Sequence, residues 1–356
     1  MIRWLPSVMT TKHTIRLILV LALTAFLLYY SFKDIDFGEA IRFLLQNVRW
    51  GMFLLVIFLT PLHLLTRSLR WKFLMVHEKP DVGMYNMFAA NAVGFTVSYI
   101  FPGRIGELVK PIYLARQEKC RTGFAIGTCV VERIFDVFTM CFLLAVFLLA
   151  RPLYISVFHL EAESLKQLTF LGILGAAVAT GLLAVCLAFI FFRDKAMAVA
   201  GAVLKIKIIP EKIRAKILNL LQEFIDGLKF FHSFKTLLAY IALSLVVWLG
   251  IIFYYWVFFL AFGKPINYFF LFPYIFLTGV GASIPTPGMA GGYEFFSIQG
   301  MVSLFNMDVS QAGGLTVVMH LVQYIITCIV GVLILSKDGM SLSQIRRLGQ
   351  GGEKQP

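Results

Sequence analysis

Long apolar runs separated by short polar breaks dominate the chain. Six of them, at 15–32, 50–66, 122–150, 168–192, 236–262 and 312–336, predict membrane-crossing helices. Each is near or above the ~17–20 residues a bilayer requires. Two more, at 83–107 and 268–294, are apolar but interrupted. Pro102, Gly103 and Gly106 break the first, and Pro285, Pro287, Gly288, Gly291 and Gly292 break the second. Proline removes a backbone donor and glycine loosens the chain, while hydrocarbon offers no water to the freed groups. Broken backbone at membrane depth therefore implies a surrounding of protein or a wet cavity.

Charge decides how the interrupted runs lie. If both are re-entrant hairpins and the N-terminus is cytoplasmic, 25 Lys/Arg fall inside and six outside. If both cross, the loops 104–121 and 193–235 move outside with 14 basic residues, against the positive-inside rule. The expected fold is thus an all-α polytopic membrane protein of six full transmembrane helices and two re-entrant hairpins. Both termini are cytoplasmic, and the first run is an uncleaved span. Residues 1–336 form a single transmembrane domain and 337–356 a short tail.

Two amphipathic stretches lie beside the core. Ile206, Ile209, Ile213, Ile217, Leu220 and Phe224 recur at helical spacing within 205–232, opposite Lys212, Arg214 and Lys216. They predict a basic helix on the cytoplasmic interface. Ile35, Ile41, Leu44, Leu45 and Val48 predict a shorter apolar stripe outside.

Composition agrees: 59% of the 356 residues are hydrophobic and mean hydropathy is +0.83. The net charge of +13 sits in short loops, which fits topology and anionic-lipid contact rather than nucleic acid. Five cysteines form no CxxC pair and the six histidines are scattered, so the sequence calls for no disulfide framework, metal or cofactor.

Shifting the chain by 187 residues reveals a repeat. Val93-Gly94 falls on Val280-Gly281, Glu107 on Glu294, Gly127 on Gly314, Arg133 on His320 and Asp136 on Gln323. Repeat 1 spans about 83–150 and repeat 2 about 268–336. Three crossings between the hairpins would invert the second, and inverted repeats with broken helices are a transporter signature. The half-helices starting near Gly103 and Gly288 would turn N–H groups and positive dipole ends inward, toward an anion. Glu132, Arg133 and Asp136 lie within a span, where each costs about 2.5–3.5 kcal/mol unless partnered. Arg133 and Asp136 are at i, i+3, and Arg104 is available to meet a remaining carboxylate across the fold. The candidate substrate-binding set is therefore Gly103, Arg104, Glu107, Glu132, Arg133, Asp136, Gly288 and Glu294. A structural ion-pair network is the alternative role for the same charges.

No HExxH or similar ligand set appears, and no nucleophile is identifiable, so the reading is transport rather than catalysis. A membrane-embedded enzyme, or a scaffold subunit in lipid or lipid-linked sugar synthesis, remains the alternative.

At PGRIGELVKPIYLAR, VVERIFDVF and IPTPGMAGGYE the chain resembles the lysylphosphatidylglycerol synthase transmembrane-region family, over about 15–336. That family includes the flippase domain of multiple peptide resistance factors and standalone membrane proteins. The resemblance implies movement of a polar-headed, anionic phospholipid, glycolipid or polyprenyl-linked lipid between leaflets of a bacterial inner or archaeal cell membrane. Its partners would be membrane lipids with anionic head groups, with room for a homodimer and for a lipid-synthesis or glycosyltransferase partner. Met289 and Lys110 depart from the family's usual Gly and Arg. No aminoacyltransferase domain follows the membrane part, so an aminoacylated lipid need not be the cargo.

Overall fold

The computed structural model describes residues 11–76, 78–101, 104–150, 192–203 and 234–341, with single positions between 173 and 222 and at 344. All regular structure among them is helical. In order come α1 (Thr11–Phe32), α2 (Phe37–Asn47), α3 (Trp50–Met75), α4 (Met84–Ile100), α5 (Gly106–Glu118), α6 (Thr122–Leu149) and α7 (Arg193–Val203). Then follow α8 (Phe234–Ala261), α9 (Leu271–Ser283), α10 (Gly292–Phe305) and α11 (Val309–Lys337). The expected span at 168–192, the basic helix at 205–232 and the tail beyond 341 lie largely outside the described residues.

Three described helices, α3, α8 and α11, are long and apolar enough to cross a membrane. A fourth crossing results if α1 and α2, bent by 70° at a short break, count as one. The helix α6 matches them in length, at 28 residues, but has three charges near its middle. The apolar run expected to end at 66 continues as helix to Met75, with Arg67 and Arg70 buried inside. These arginines belong to the packed interior, not to a loop, because their charges are met by residues remote in sequence.

The stripe expected at 35–48 folds as the helix α2. Asp36 caps α2 by accepting from Gly38 and Glu39 N–H, and α2 lies against α11. Ile35 and Ala40 face the core, where α11 offers Gly313 and Gly314, while Ile41 and Leu45 face outward.

Both interrupted runs fold as pairs of packed helices, α4 with α5 and α9 with α10. Glycines set how closely each pair approaches. A Cβ on Gly106 would lie 1.8 Å from the Gly94 carbonyl oxygen, and one on Gly292 would lie 2.5 Å from that of Gly281. Gly94 and Gly281 are partners in the 187-residue frame. The outer ends of the first pair are tied together, Gly83 N–H and Asn86 both donating to Glu118 Oε1 at 2.8 Å. Nearby, Arg121 grips Glu78 at 2.6 Å. At the other end of the molecule Asp36 N–H donates to Ser310 (3.0 Å), Arg49 N–H to the Ala261 carbonyl (2.7 Å) and Lys264 to Gln311 (2.7 Å).

Each broken tip reaches into the other pair. Arg104, left-handed at φ 53°, donates through Nη2 to the Ala282 carbonyl near the end of α9. Reciprocally, the turn Pro287–Met289 packs on α4, where a Cβ on Gly288 would lie 3.2 Å from the Tyr99 carbonyl oxygen. The helices after each pair also cross over, with α6 against α9 and α11 against α4.

Candidate functional site

The site grows from α6. Its Glu132 and Asp136 are almost wholly buried, one turn apart on the face that meets α3, α5 and α8. Arg70 joins them, with Nη1 2.7 Å from Asp136 Oδ1 and Nη2 3.4 Å from Glu132 Oε1. Lys110 from α5 lies 2.5 Å from Glu132 Oε2, and its ammonium stands 4.1 Å from the centre of the Trp71 ring. Arg133 reaches Asp136 at 3.2 Å and Arg67 reaches it at 3.5 Å. The Trp248 indole N–H donates to Asp136 at 3.0 Å, and the Trp71 indole N–H to Thr128 at 2.9 Å. Arg67 is held between the rings of Phe95 and Trp248, at 5.6 and 5.7 Å.

The cluster is not neutral. Four cations face two carboxylates, an excess of two positive charges. Buried charge of this kind needs compensation by partners, water or a bound counter-ion. One wall of the cluster borders a cavity of about 410 Å³, lined by Arg67, Arg104, Glu107, Lys110, Arg133 and Asp136 among others. Arg133 holds a side chain 42% exposed on that wall, the most open cation of the cluster. Leu108, Ile126, Val130 and Val137 line it with hydrocarbon, so charge and apolar surface share one space.

The structure brings Arg104, Glu107, Arg133 and Asp136 to this cavity and places Glu132 just behind them. The expected contact of Arg104 with a leftover carboxylate of α6 does not form; Arg104 pairs with Glu107 at 3.1 Å and donates to Ala282. The carboxylates are met instead by Arg67, Arg70 and Lys110. Glu294 lies apart, buried at the start of α10, where Oε2 accepts the Gly291 N–H at 2.6 Å and Oε1 lies 2.5 Å from His320 Nδ1. Gly288 is buried against α4, Gly291 takes φ 86° beside α1, and Pro287 opens the turn after an exposed Pro285. Pro102 and Gly103 lie outside the described residues.

Sequence reasoning missed Arg67, Arg70, Lys110 and the tryptophans. The usable signal was the spacing: Arg67, Arg70, Trp71 and Leu74 fall on one helical face continuing from Leu64. Among the described residues no group of three or more His, Cys, Asp or Glu side chains is placed to hold a metal. The cationic wall is suited to gripping a phosphate or carboxylate through planar guanidinium groups.

A helical membrane protein with two broken helix pairs around a positively charged, partly apolar cavity is the class these features define. The sequence profile described as "Lysylphosphatidylglycerol synthase TM region" matches residues 17–331, and the chain belongs to that family. It is similar to a UPF0104 membrane protein of Methanothermobacter thermautotrophicus, 24% identical over 291 residues that cover 78% of this chain and 82% of the relative. It is also similar to UPF0104 membrane protein MJ1595 of Methanocaldococcus jannaschii, 26% identical over 274 residues, 74% of this chain and 78% of the relative. No solved structure matches the chain.

Proposed function

We propose that this protein moves a lipid with an anionic head group between membrane leaflets, without changing it chemically. The observation that carries the reading is the excess of two positive charges at the wall of a cavity that also offers hydrocarbon. A lipid needs both surfaces at once. In this reading the head group's phosphate sits on Arg133, Lys110 and Arg67, while its chains run along Leu108 and Val130, which are exposed on the outside of the helices. The two helix pairs are re-entrant hairpins entering from opposite faces, parts of an inverted repeat. Six full spans, termini in the cytoplasm and a bacterial inner or archaeal membrane complete the arrangement. The reciprocal contacts of Arg104 with Ala282 and of the Gly288 turn with Tyr99 support that symmetry. A homodimer and a lipid-synthesis or glycosyltransferase partner fit the same reading.

The test is reconstitution of the full chain into liposomes with fluorescent phosphatidylglycerol in one leaflet, scored by chemical quenching of the outer leaflet. Movement is expected, with mass spectrometry showing the lipid unaltered. Arg133→Lys keeps the charge and loses the fork, and should slow movement about tenfold, the scale of 1.4 kcal/mol. Lys195→Ala, on the exposed side of α7, should not. Wild-type rates in Arg133→Lys would remove the anion from this wall, and a covalently altered lipid would turn the reading to an enzyme.

A further inference from the structure

Beside the cationic cavity lies a second one of about 160 Å³. Arg67, Trp248, Gly279, Ala282 and Met289 line both, so the two spaces adjoin. The second cavity holds two histidines, His63 and His320, among polar and aromatic groups and the cation Arg67.

The surroundings of His320 fix its chemistry. Glu294 has both oxygens engaged, one by the Gly291 N–H and the other by His320 Nδ1. When Glu294 is ionised it accepts, so Nδ1 carries the hydrogen and Nε2 is the free nitrogen of the ring. That Nε2 is buried at the cavity and has no hydrogen-bond partner. In the neutral ring it is a lone pair with no donor; protonated, it makes the ring a cation already held by a carboxylate. Across the same cavity the Nε of Arg67 is likewise buried and unpartnered.

We infer that the Glu294–His320 pair is a proton-binding site, coupled to the anion in the adjoining cavity, so that the protein moves its anionic lipid together with a proton. The inference rests on the reading of anionic-lipid movement and adds its coupling ion. The proton comes from water, forms an N–H bond at Nε2, and returns to water on the far side. A positive charge placed there favours an anion next door, and by linkage the anion favours the proton to the same degree. A singly charged head group and one proton then cross with no net charge.

The ionisable groups facing His320 are named by element. They are His63 and Arg67 from α3, Tyr99 from α4, Tyr254 and Tyr255 from α8, Tyr293 and Glu294 from α10, and Tyr324 from α11 itself. Helix α2 meets α11 at Gly313 and Gly314, and its Glu39 and Arg42 are exposed. His63 has the Thr60 carbonyl at 3.2 Å as its partner, whereas His320 has a carboxylate.

The experiment measures proton uptake by the purified full chain in weakly buffered detergent as short-chain phosphatidylglycerol is added, with short-chain phosphatidylcholine as control. Up to about half a proton should be taken up per anionic lipid bound, the most that one site can contribute when the affinity changes about tenfold with pH. His320→Gln, whose amide still donates toward Glu294, should bind the lipid without uptake, and His63→Gln should keep the uptake. Wild-type affinity should be about tenfold higher at pH 5.5 than at pH 8, about 1.4 kcal/mol. Binding without uptake from pH 5 to 8, uptake unchanged in His320→Gln, or uptake abolished in His63→Gln overturns the inference and leaves lipid movement standing. If His320→Gln does not fold, a flat pH dependence of wild-type binding overturns it. Absence of anionic-lipid binding, together with absence of movement in vesicles, sinks the functional reading itself.

Discussion

Gly106→Ala is a change of one methyl group with a large expected effect. The added Cβ would stand 1.8 Å from the Gly94 carbonyl oxygen, 2.3 Å from Ser98 Oγ and 2.7 Å from Ser98 N. The hydroxyl can swing away, but the other two atoms are backbone of α4. Restoring ordinary contact at about 3.4 Å requires α5 to withdraw by roughly 1.6 Å. Overpacking usually costs about 1–3 kcal/mol, and an obstacle made of backbone puts this case at the upper end, about 3 kcal/mol. The displacement also carries Lys110 away from Glu132, so lipid movement should fall with stability. Gly250→Ala is the control: it lies in α8, where an added Cβ has nothing within 4 Å. Replacing that helical glycine should be neutral or stabilise by about 0.5–1 kcal/mol. Thermal unfolding of matched detergent samples, followed by tryptophan fluorescence, gives the comparison. Equal stability of Gly106→Ala and Gly250→Ala would refute the argument that glycine sets the hairpin spacing.

Two further outcomes follow from the same structure. Arg70→Met removes a fully buried cation from both carboxylates and should cost about 3–5 kcal/mol, seen as a lower folded fraction after heating. Arg67→Met, at a 3.5 Å contact, should cost less than Arg70→Met; the reverse order would refute the ranking by contact. Single cysteines at Asp81 and Lys264 should label from opposite sides of intact vesicles, Asp81 from the cytoplasmic side. Labelling of both from one side would overturn the proposed topology.

How much of this was legible depended on whether the cause was local. The two broken runs were readable because Pro and Gly act on their own backbone, and α4–α5 and α9–α10 pack as pairs around those breaks. The Arg133–Asp136 pair was readable because i, i+3 neighbours share a helical face. Arg67 and Arg70 were not. A hydropathy pattern counts each arginine as a reason to leave the membrane, and cannot see that Asp136 and Glu132 lie 62–69 residues away to receive them. Lys110 was hidden the same way, since its partner Glu132 comes 22 residues later on another helix.

The interlocked tips have a consequence in time. Arg104 is synthesised 178 residues before the Ala282 carbonyl that receives it. At roughly 5–20 residues per second, the first hairpin exists for about 10–35 s before its acceptor has been made. Trp248, the indole partner of Asp136, arrives 112 residues after that aspartate. During that interval the nascent chain holds a broken helix pair and an ion cluster whose charged members, Arg67 to Asp136, are all made but whose Trp248 partner is not. Its biogenesis is therefore a waiting problem, and the early half must be sheltered by the insertion machinery or held near the interface until the late half closes over it.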